Sequence, residues 1–236
     1  MKKSTLAILS AVALAFGVSI ISAKAADTTG TNSAGAIYAG FILQPLKFEV
    51  QHPYNLKLED RYSYDKATDT HDFWVLDTDK PHAPPPNRTE PRTEMRILDD
   101  YKAGSGLHMM DCDMFITPGT FACISQVFGG TGPMCIIIVD TNGTISDLRT
   151  HAVIARNMNG KWFHWTIIHN PDAIGPGAVK VYIDGKLASD KISGSKAKFF
   201  YFKIGVYSRK GSNRNEIKVR NLKYFIKPPA AIVKII

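Results

Sequence analysis

Cysteine is scarce in this chain. The 236 residues include three cysteines, Cys112, Cys123 and Cys135. In an oxidising compartment an odd number allows at most one intramolecular disulfide, and the spacing does not say which pair would form it. The same spacing matches no Cys/His zinc pattern, so the sequence predicts no metal site. At least one of the three is expected to be a small buried hydrophobic residue.

Long apolar runs are missing beyond the N-terminus. Two early lysines, an apolar stretch over 6–21 and the small-x-small sequence Ala23-Lys24-Ala25 predict a secretory signal peptide over 1–25. The stretch is too short and too rich in alanine and serine for a good membrane span of roughly 20 apolar residues. An uncleaved anchor is the alternative. We therefore expect a secreted or periplasmic protein without stable membrane insertion.

Helical periodicity is also lacking after the signal peptide, and strands do not alternate with helices. Short strand-like segments are separated by turns such as Thr117–Thr120 instead. Strands are predicted near 107–116, 120–128, 161–168, 179–183 and 216–226. This pattern is typical of an antiparallel β-sandwich. We predict an all-β jelly roll of the concanavalin A-like type, a single domain over 37–236, after a flexible leader over 26–36.

Acidic residues are fewer than basic residues. The chain has 29 Lys and Arg against 21 Asp and Glu, a formal net charge of +8. Positive charge attracts anionic glycans, nucleic acid or lipid headgroups. No recognised nucleic-acid motif accompanies it. We expect an anionic polysaccharide as the partner, no nucleic acid, and a monomer.

Polar side chains occupy alternate positions, and therefore one face, on three strand-like segments. Because successive side chains of a strand point to opposite faces, the segments starting at Arg92 and Tyr201 each separate into a polar and an apolar face. A third strand, Cys123–Phe128, could present an amide beside them. The polar positions are Arg92, Glu94, Arg96, Gln126, Tyr201, Lys203 and Tyr207. Gathered on one sheet, these groups would suit an acidic sugar polymer.

Two of these segments resemble the motifs of a known family. Arg92-Thr-Glu-Met-Arg96 is similar to the R-[ST]-E-[LV]-R motif of family 7 polysaccharide lyases, the alginate lyases. Tyr201-Phe-Lys-Ile-Gly-Val-Tyr-Ser208 resembles their Y-F-K-A-G-x-Y-x-Q motif, with Arg209 where the family has its final glutamine. The resemblance covers roughly residues 73–226 and extends to the broader alginate lyase-like superfamily, which includes the family 20 glucuronan lyases.

The resemblance implies cleavage of an alginate- or glucuronan-type polymer by β-elimination, without a cofactor. This chemistry removes the C5 hydrogen beside a carboxylate, whose charge must be neutralised as the enolate forms. Arg92 would do so with a two-pronged donor and Gln126 with a neutral one, while Tyr207 would protonate the departing O4. The expected substrate contacts are Glu94, Arg96, Phe128, Tyr201, Lys203 and Arg209.

The base is an open question because the third family motif, Q-[IV]-H, is Gln126-Val-Phe128 in this chain. Phenylalanine replaces the histidine usually credited with moving the sugar proton. Tyr207 could act as both base and acid, since nearby cations such as Lys203 would favour its phenolate. His82, on a proline-rich loop, and His108, at the start of a strand, are the alternative bases.

A noncatalytic carbohydrate-binding sandwich is the main alternative function. Sugar rings would then stack on the aromatic side chains of Tyr101, Phe128 and Tyr201, and the arginine and lysine side chains would hold carboxylates. A simpler structural alternative is a solvated charge ladder with aromatic packing. Glycoside hydrolysis is disfavoured because it needs paired carboxylates, and the E-x-D-x-x-E strand pattern is absent.

Overall fold

The computed structural model describes residues 33–130 and 132–229. The predicted signal peptide over 1–25, most of the leader and the apolar C-terminal residues 230–236 lie outside these ranges. The last leader residues differ from the prediction, because they begin the short helix α1, Ser33–Ile37. Its sequence contains two alanines, the best helix former. Within the described ranges, no helix is long and apolar enough to cross a membrane.

Strands make up most of the described chain. In chain order they are β1 Ile42–Gln44, β2 Phe48–Gln51, β3 Tyr62–Asp65, β4 Thr70–Leu76, β5 Arg92–Ile97, β6 Leu107–Ile116, β7 Ala122–Gly129, β8 Gly132–Val139, β9 Ile145–Asp147, β10 Val153–Ala155, β11 Trp162–His169, β12 Pro176–Ile183, β13 Lys186–Ser193, β14 Phe200–Ser208 and β15 Arg214–Lys227. A short 3-10 helix, Leu58–Asp60, precedes β3.

The strands form two antiparallel sheets. Sheet A has the order β13-β12-β11-β6-β15-β4-β3, with β1 also paired to β15. Sheet B has the order β10-β9-β8-β7-β14-β5-β2. Each sheet combines strands that follow one another in the chain with pairs from distant parts of it, such as β11-β6 and β7-β14, as in a jelly roll. The predicted fold class, an antiparallel β-sandwich jelly roll, is confirmed.

Alternation along the strands decides which side chains enter the core. Met95 and Ile97 of β5 are buried in the core, as are Phe202, Ile204 and Val206 of β14. They pack with buried residues of sheet A, among them Phe73 and Trp165. The intervening residues of β5 and β14 therefore lie on the face of sheet B that points away from sheet A. We call this the outer face of sheet B.

The three cysteines are buried and free. None forms the disulfide that the sequence would have allowed. Burial raises the pKa of the Cys112 and Cys123 thiols well above the usual value, because the thiolate loses its hydration. They therefore remain thiols and pack as small hydrophobic residues.

Candidate active site

Strand register brings the predicted polar residues together on the outer face of sheet B. β14 lies between β5 and β7. Lys203 pairs with Arg96 on one side and with Gln126 on the other. Tyr207 pairs with Arg92, and Tyr201 with Phe128. Segments separated by more than a hundred residues in sequence thus form one continuous polar surface.

Glu94 is the centre of a buried hydrogen-bonded group. Its side chain has no exposed surface. One carboxylate oxygen accepts a hydrogen bond from Nε2 of Gln126, and the other accepts one from Nζ of Lys203. Nη1 of Arg92 lies 3.7 Å from the second oxygen. We call Arg92, Glu94, Gln126 and Lys203 the buried cluster.

This arrangement corrects the role expected for Glu94. The sequence predicted a substrate contact, but a fully buried carboxylate that accepts two hydrogen bonds and pairs with Arg92 has no surface to offer a sugar. Glu94 instead holds Gln126 and Lys203 in position. Two cations then face a single anion, so the buried cluster carries one net positive charge. Such an excess is stabilised when an anionic ligand arrives.

Gly205 allows this close packing. It lies opposite Glu94 in β14 and has a φ of +146°, which L side chains rarely adopt. A Cβ added there would lie 2.5 Å from the carbonyl oxygen of Thr93 and 2.6 Å from Cα of Glu94. The missing side chain therefore lets β5 approach β14 closely enough for the carboxylate of Glu94 to reach Lys203.

Arg92 and Tyr207 stack at one end of the buried cluster. The guanidinium carbon of Arg92 lies 4.0 Å from the centroid of the Tyr207 ring. Arg92 is 8% exposed, and its buried Nε has no hydrogen-bond partner among the described residues. Tyr207 is only partly buried. The Tyr207 hydroxyl and the Arg92 guanidinium beside it can therefore contact an acidic sugar at the surface.

Two stacked aromatic rings lie at the other end of the buried cluster. The rings of Phe128 and Tyr201 stack with centroids 5.1 Å apart. Arg96 covers Tyr201, with its guanidinium carbon 4.2 Å from the ring centroid, and pairs with Asp100 at 2.9 Å. Of the expected substrate contacts, Phe128 and Arg96 keep exposed surface, whereas Tyr201 and Lys203 are almost fully buried.

His82 lies within the electrostatic range of the buried cluster. It belongs to the proline-rich loop between β4 and β5. A hydrogen bond from the backbone N–H of Tyr54 to the carbonyl of Pro81 holds this loop in place. Burial lowers the pKa of His82, and the positive charges of Arg92 and Lys203 lower it further, while Glu94 opposes them. Its Nδ1 is buried and finds no hydrogen-bond partner in the part of the chain that the structure describes. A neutral imidazole with an unused nitrogen fits a proton acceptor.

His108 is not at this site, which corrects the second alternative. It lies in β6 of sheet A and is 2% exposed. Its ring stacks on Tyr101 at 3.7 Å, and its two nitrogens bond to Ser105 and Tyr224. Tyr101 contacts Phe202 on the core face of β14, the face opposite Lys203. Burial lowers the pKa of His108 to about 4. It is a core residue.

Arg209 borders a cavity of about 330 Å³ beside Tyr207. The sequence predicted Arg209 as a substrate contact but missed the cavity. Its lining comes from five separate parts of the chain: Glu90, Phe121, Cys123, Ile136, Leu148, Tyr207, Ser208, Arg209 and Lys210. The signal that could have indicated it is the Arg209-Lys210 pair directly after the last motif. In the described ranges, no group of three or more His, Cys, Asp or Glu side chains could hold a metal ion.

The two antiparallel sheets define the class of the protein, a jelly-roll sandwich of the alginate lyase-like superfamily. The chain belongs to the alginate lyase family, whose model, described as "Alginate lyase", matches residues 43–225.

The chain is also similar to three individual proteins. The chain is 31% identical over 194 residues to a citrate-binding protein of Hevea brasiliensis, covering 79% of this chain and 77% of that one. It superposes on an alginate lyase of polysaccharide lyase family 7 with a TM-score of 0.59 at 17% identity, covering 75% and 93% of the two chains. It superposes on an endo-β-1,4-glucuronan lyase of Trichoderma reesei with a TM-score of 0.50 at 11% identity, covering 77% of this chain and 90% of that one. At these identities the structural likeness shows the fold.

Proposed function

We propose that this protein is a secreted polysaccharide lyase that cleaves a uronate-containing polymer of the alginate or glucuronan type by β-elimination. The observation that carries the proposal is the buried cluster beside Tyr207. Its net positive charge matches one sugar carboxylate, and charge-assisted hydrogen bonds in a dry site are strong. Export follows from the N-terminal pattern over 1–25, and action as a monomer without a cofactor stays part of the proposal.

Arg92 and Gln126 bind the carboxylate of the sugar that loses its C5 proton. Arg92 keeps 8% of its surface exposed, and Nε2 of Gln126 keeps a second hydrogen after donating to Glu94. Both donors are held before substrate arrives, so they need no reorganisation when charge builds up on the carboxylate oxygens. This is electrostatic stabilisation of the enolate-like transition state.

His82 and Tyr207 divide the proton transfers. The neutral imidazole of His82 takes the proton from C5, the electron pair of that bond forms the C4–C5 double bond, and the C4–O4 bond breaks. The hydroxyl of Tyr207 gives its proton to the departing oxygen. The products are an unsaturated uronate and a shortened chain with a free hydroxyl, and solvent restores both side chains.

The direct test is the ultraviolet absorbance of the unsaturated product, measured with purified protein on alginate blocks, glucuronan and other polyuronates. We expect absorbance to grow on at least one polymer. Tyr207→Phe should lower kcat at least about 100-fold, since it removes the general acid, and Arg92→Ala should do so through the lost carboxylate contact. Tyr54→Phe, an exposed tyrosine, is the matched control. Full activity of Tyr207→Phe would refute this mechanism.

Binding without cleavage is the second candidate function. Phe128 stands where the family motif has histidine, and the relative from Hevea brasiliensis is named a citrate-binding protein. A net positive site could hold citrate or an anionic glycan without eliminating anything. Calorimetry with citrate and with each polymer separates the two. Affinity with no absorbance change on any polymer favours binding, whereas cleavage with weak citrate affinity favours the lyase.

A further inference from the structure

The cavity beside Tyr207 has an apolar floor and a charged rim. Cys123 and Ile136 come from neighbouring strands of sheet B, and Leu148 follows β9. The charged lining residues are Arg209 and Lys210, which follow β14, and Glu90. At about 330 Å³, the space is large enough for a sugar ring. An apolar floor with a few polar groups at the rim is typical of small-ligand sites.

Arg209 has an unused charge. In the parts of the chain that the structure describes, its guanidinium forms no ion pair, whereas Lys210 pairs with Glu90 at 3.7 Å. The main chain of Arg209 is anchored, because its backbone N–H donates to the carbonyl of Phe121 at 3.0 Å. The guanidinium carbon lies 5.8 Å from the Phe121 ring. A positioned guanidinium without a carboxylate is ready to bind one.

Tyr207 separates this cavity from the buried cluster. One side of its ring faces Arg92, and the same residue lines the cavity. A polymer whose reacting sugar lies on the buried cluster must therefore cross Tyr207 to enter the cavity. Because Tyr207 protonates the departing oxygen, the sugar beyond it is the one that leaves with that oxygen.

We propose that the cavity is a second uronate subsite, in which Arg209 binds the carboxylate of the departing sugar. The inference rests on the proposed lyase function. The ring lies on the apolar floor, and the carboxylate faces Arg209 at the rim. The protein then requires two adjacent acidic sugars and discriminates against polymers in which the departing sugar is neutral.

The test compares Arg209→Gln and Arg209→Lys with wild type on uronate oligomers of increasing length, and on the same oligomers with the carboxylates beyond the reacting sugar reduced to alcohols. We expect Arg209→Gln to raise KM about tenfold on acidic oligomers with kcat little changed, as for a lost charged hydrogen bond. It should leave KM on the reduced oligomers unchanged. Arg209→Lys should recover part of the loss. Lys66→Gln, which removes an exposed cation on the turn before β4, is the control.

The outcomes keep this inference apart from the proposed function. Cleavage by wild type with an unchanged KM for Arg209→Gln would overturn the subsite and leave the lyase intact. If wild type cleaves nothing, calorimetry with the acidic oligomers decides. About tenfold weaker binding by Arg209→Gln supports the cavity as a carboxylate site, and equal binding, or no binding by wild type, overturns it.

Discussion

At the residue scale, the candidate site depends on how three charges are satisfied without water. Arg92, Glu94 and Lys203 are each less than a tenth exposed. A buried charge is tolerated when it is paired and hydrogen-bonded, but removing one partner leaves the others unpaired at considerable cost. Glu94 is the only acid in the buried cluster, so the stability of the site rests on this one carboxylate.

We expect Glu94→Gln to lower the free energy of unfolding by about 3 kcal/mol, because Lys203 and Arg92 would remain buried without their anion. Urea denaturation of the variant and wild type measures the difference. Glu49→Gln is the matched control, since Glu49 pairs with Arg96 at 3.6 Å but is half exposed. Its loss should cost less than about 1 kcal/mol. Equal effects of the two substitutions would contradict the role given to Glu94.

His82 determines the pH dependence of the proposed reaction. Its pKa lies below the usual value of about 6.5 because of burial and of the charges of Arg92 and Lys203. The base acts in its neutral form, so kcat/KM should stay constant above about pH 6.5 and fall at lower pH as the imidazole is protonated. A rate profile of wild type checks this limb.

His82→Ala should remove that acidic limb and lower kcat about 100-fold or more. His151→Ala, at an exposed position after β9, is the control. Retention of activity in His82→Ala, with the limb unchanged, would transfer the base role to Tyr207.

At the scale of elements, the sequence pattern predicted several longer strands well. β5 begins at Arg92, where the polar segment starts, and β6, Leu107–Ile116, matches the predicted range. β7 begins at Ala122, directly after the predicted turn. The short strands β1, β3, β9 and β10 had no such signal, because three or four residues cannot establish a period of two. Their place is fixed by pairing with longer neighbours.

Gly205→Ala should disrupt the pairing of β5 with β14. The new Cβ would lie 2.5 Å from a backbone oxygen, and the positive φ adds strain. We expect a loss of at least about 2 kcal/mol in unfolding free energy, seen as a lower Tm, and weaker carboxylate binding. Gly132→Ala in β8 is the control, because a Cβ there meets nothing within 4 Å. A Gly205→Ala protein with wild-type Tm would contradict the close approach.

At the scale of the whole molecule, the two sheets carry different polar groups on their outward sides. Sheet B carries the candidate site, and the outward side of sheet A carries an ion-pair network. His164 of β11 lies between Asp111 at 2.9 Å and Asp113 at 3.0 Å, both in β6. Tyr38, from the segment before β1, donates to Asp111 at 2.9 Å. Arg220 of β15 also pairs with Asp113. The network therefore links the N-terminal segment and three strands.

The stability of the molecule should depend on the charge of His164. Hydrogen bonds to Asp111, and then Asp113, raise its pKa to about 9, against the opposing effect of burial. Because the folded pKa lies above the unfolded value of about 6.5, the stabilisation is fully present below pH 6.5 and is lost as pH rises through about 9. The unfolding free energy of wild type minus that of His164→Gln, measured from pH 6 to 10, should decline over this interval. A difference independent of pH would show that His164 contributes by packing alone.

The sequence by itself determined the strand content, the faces of β5 and β14 and the resemblance to alginate lyases, because a period of two and short motifs are local properties of the chain. Only the tertiary structure decided that Glu94 is buried against Gln126 and Lys203, that His108 belongs to the core, that the charges of Arg92 and Lys203 act on His82, and that Arg209 borders a cavity. These outcomes depend on which strands become neighbours and on what each side chain meets across the sheet. No local pattern records such contacts, since their partners lie tens of residues or more apart in the chain.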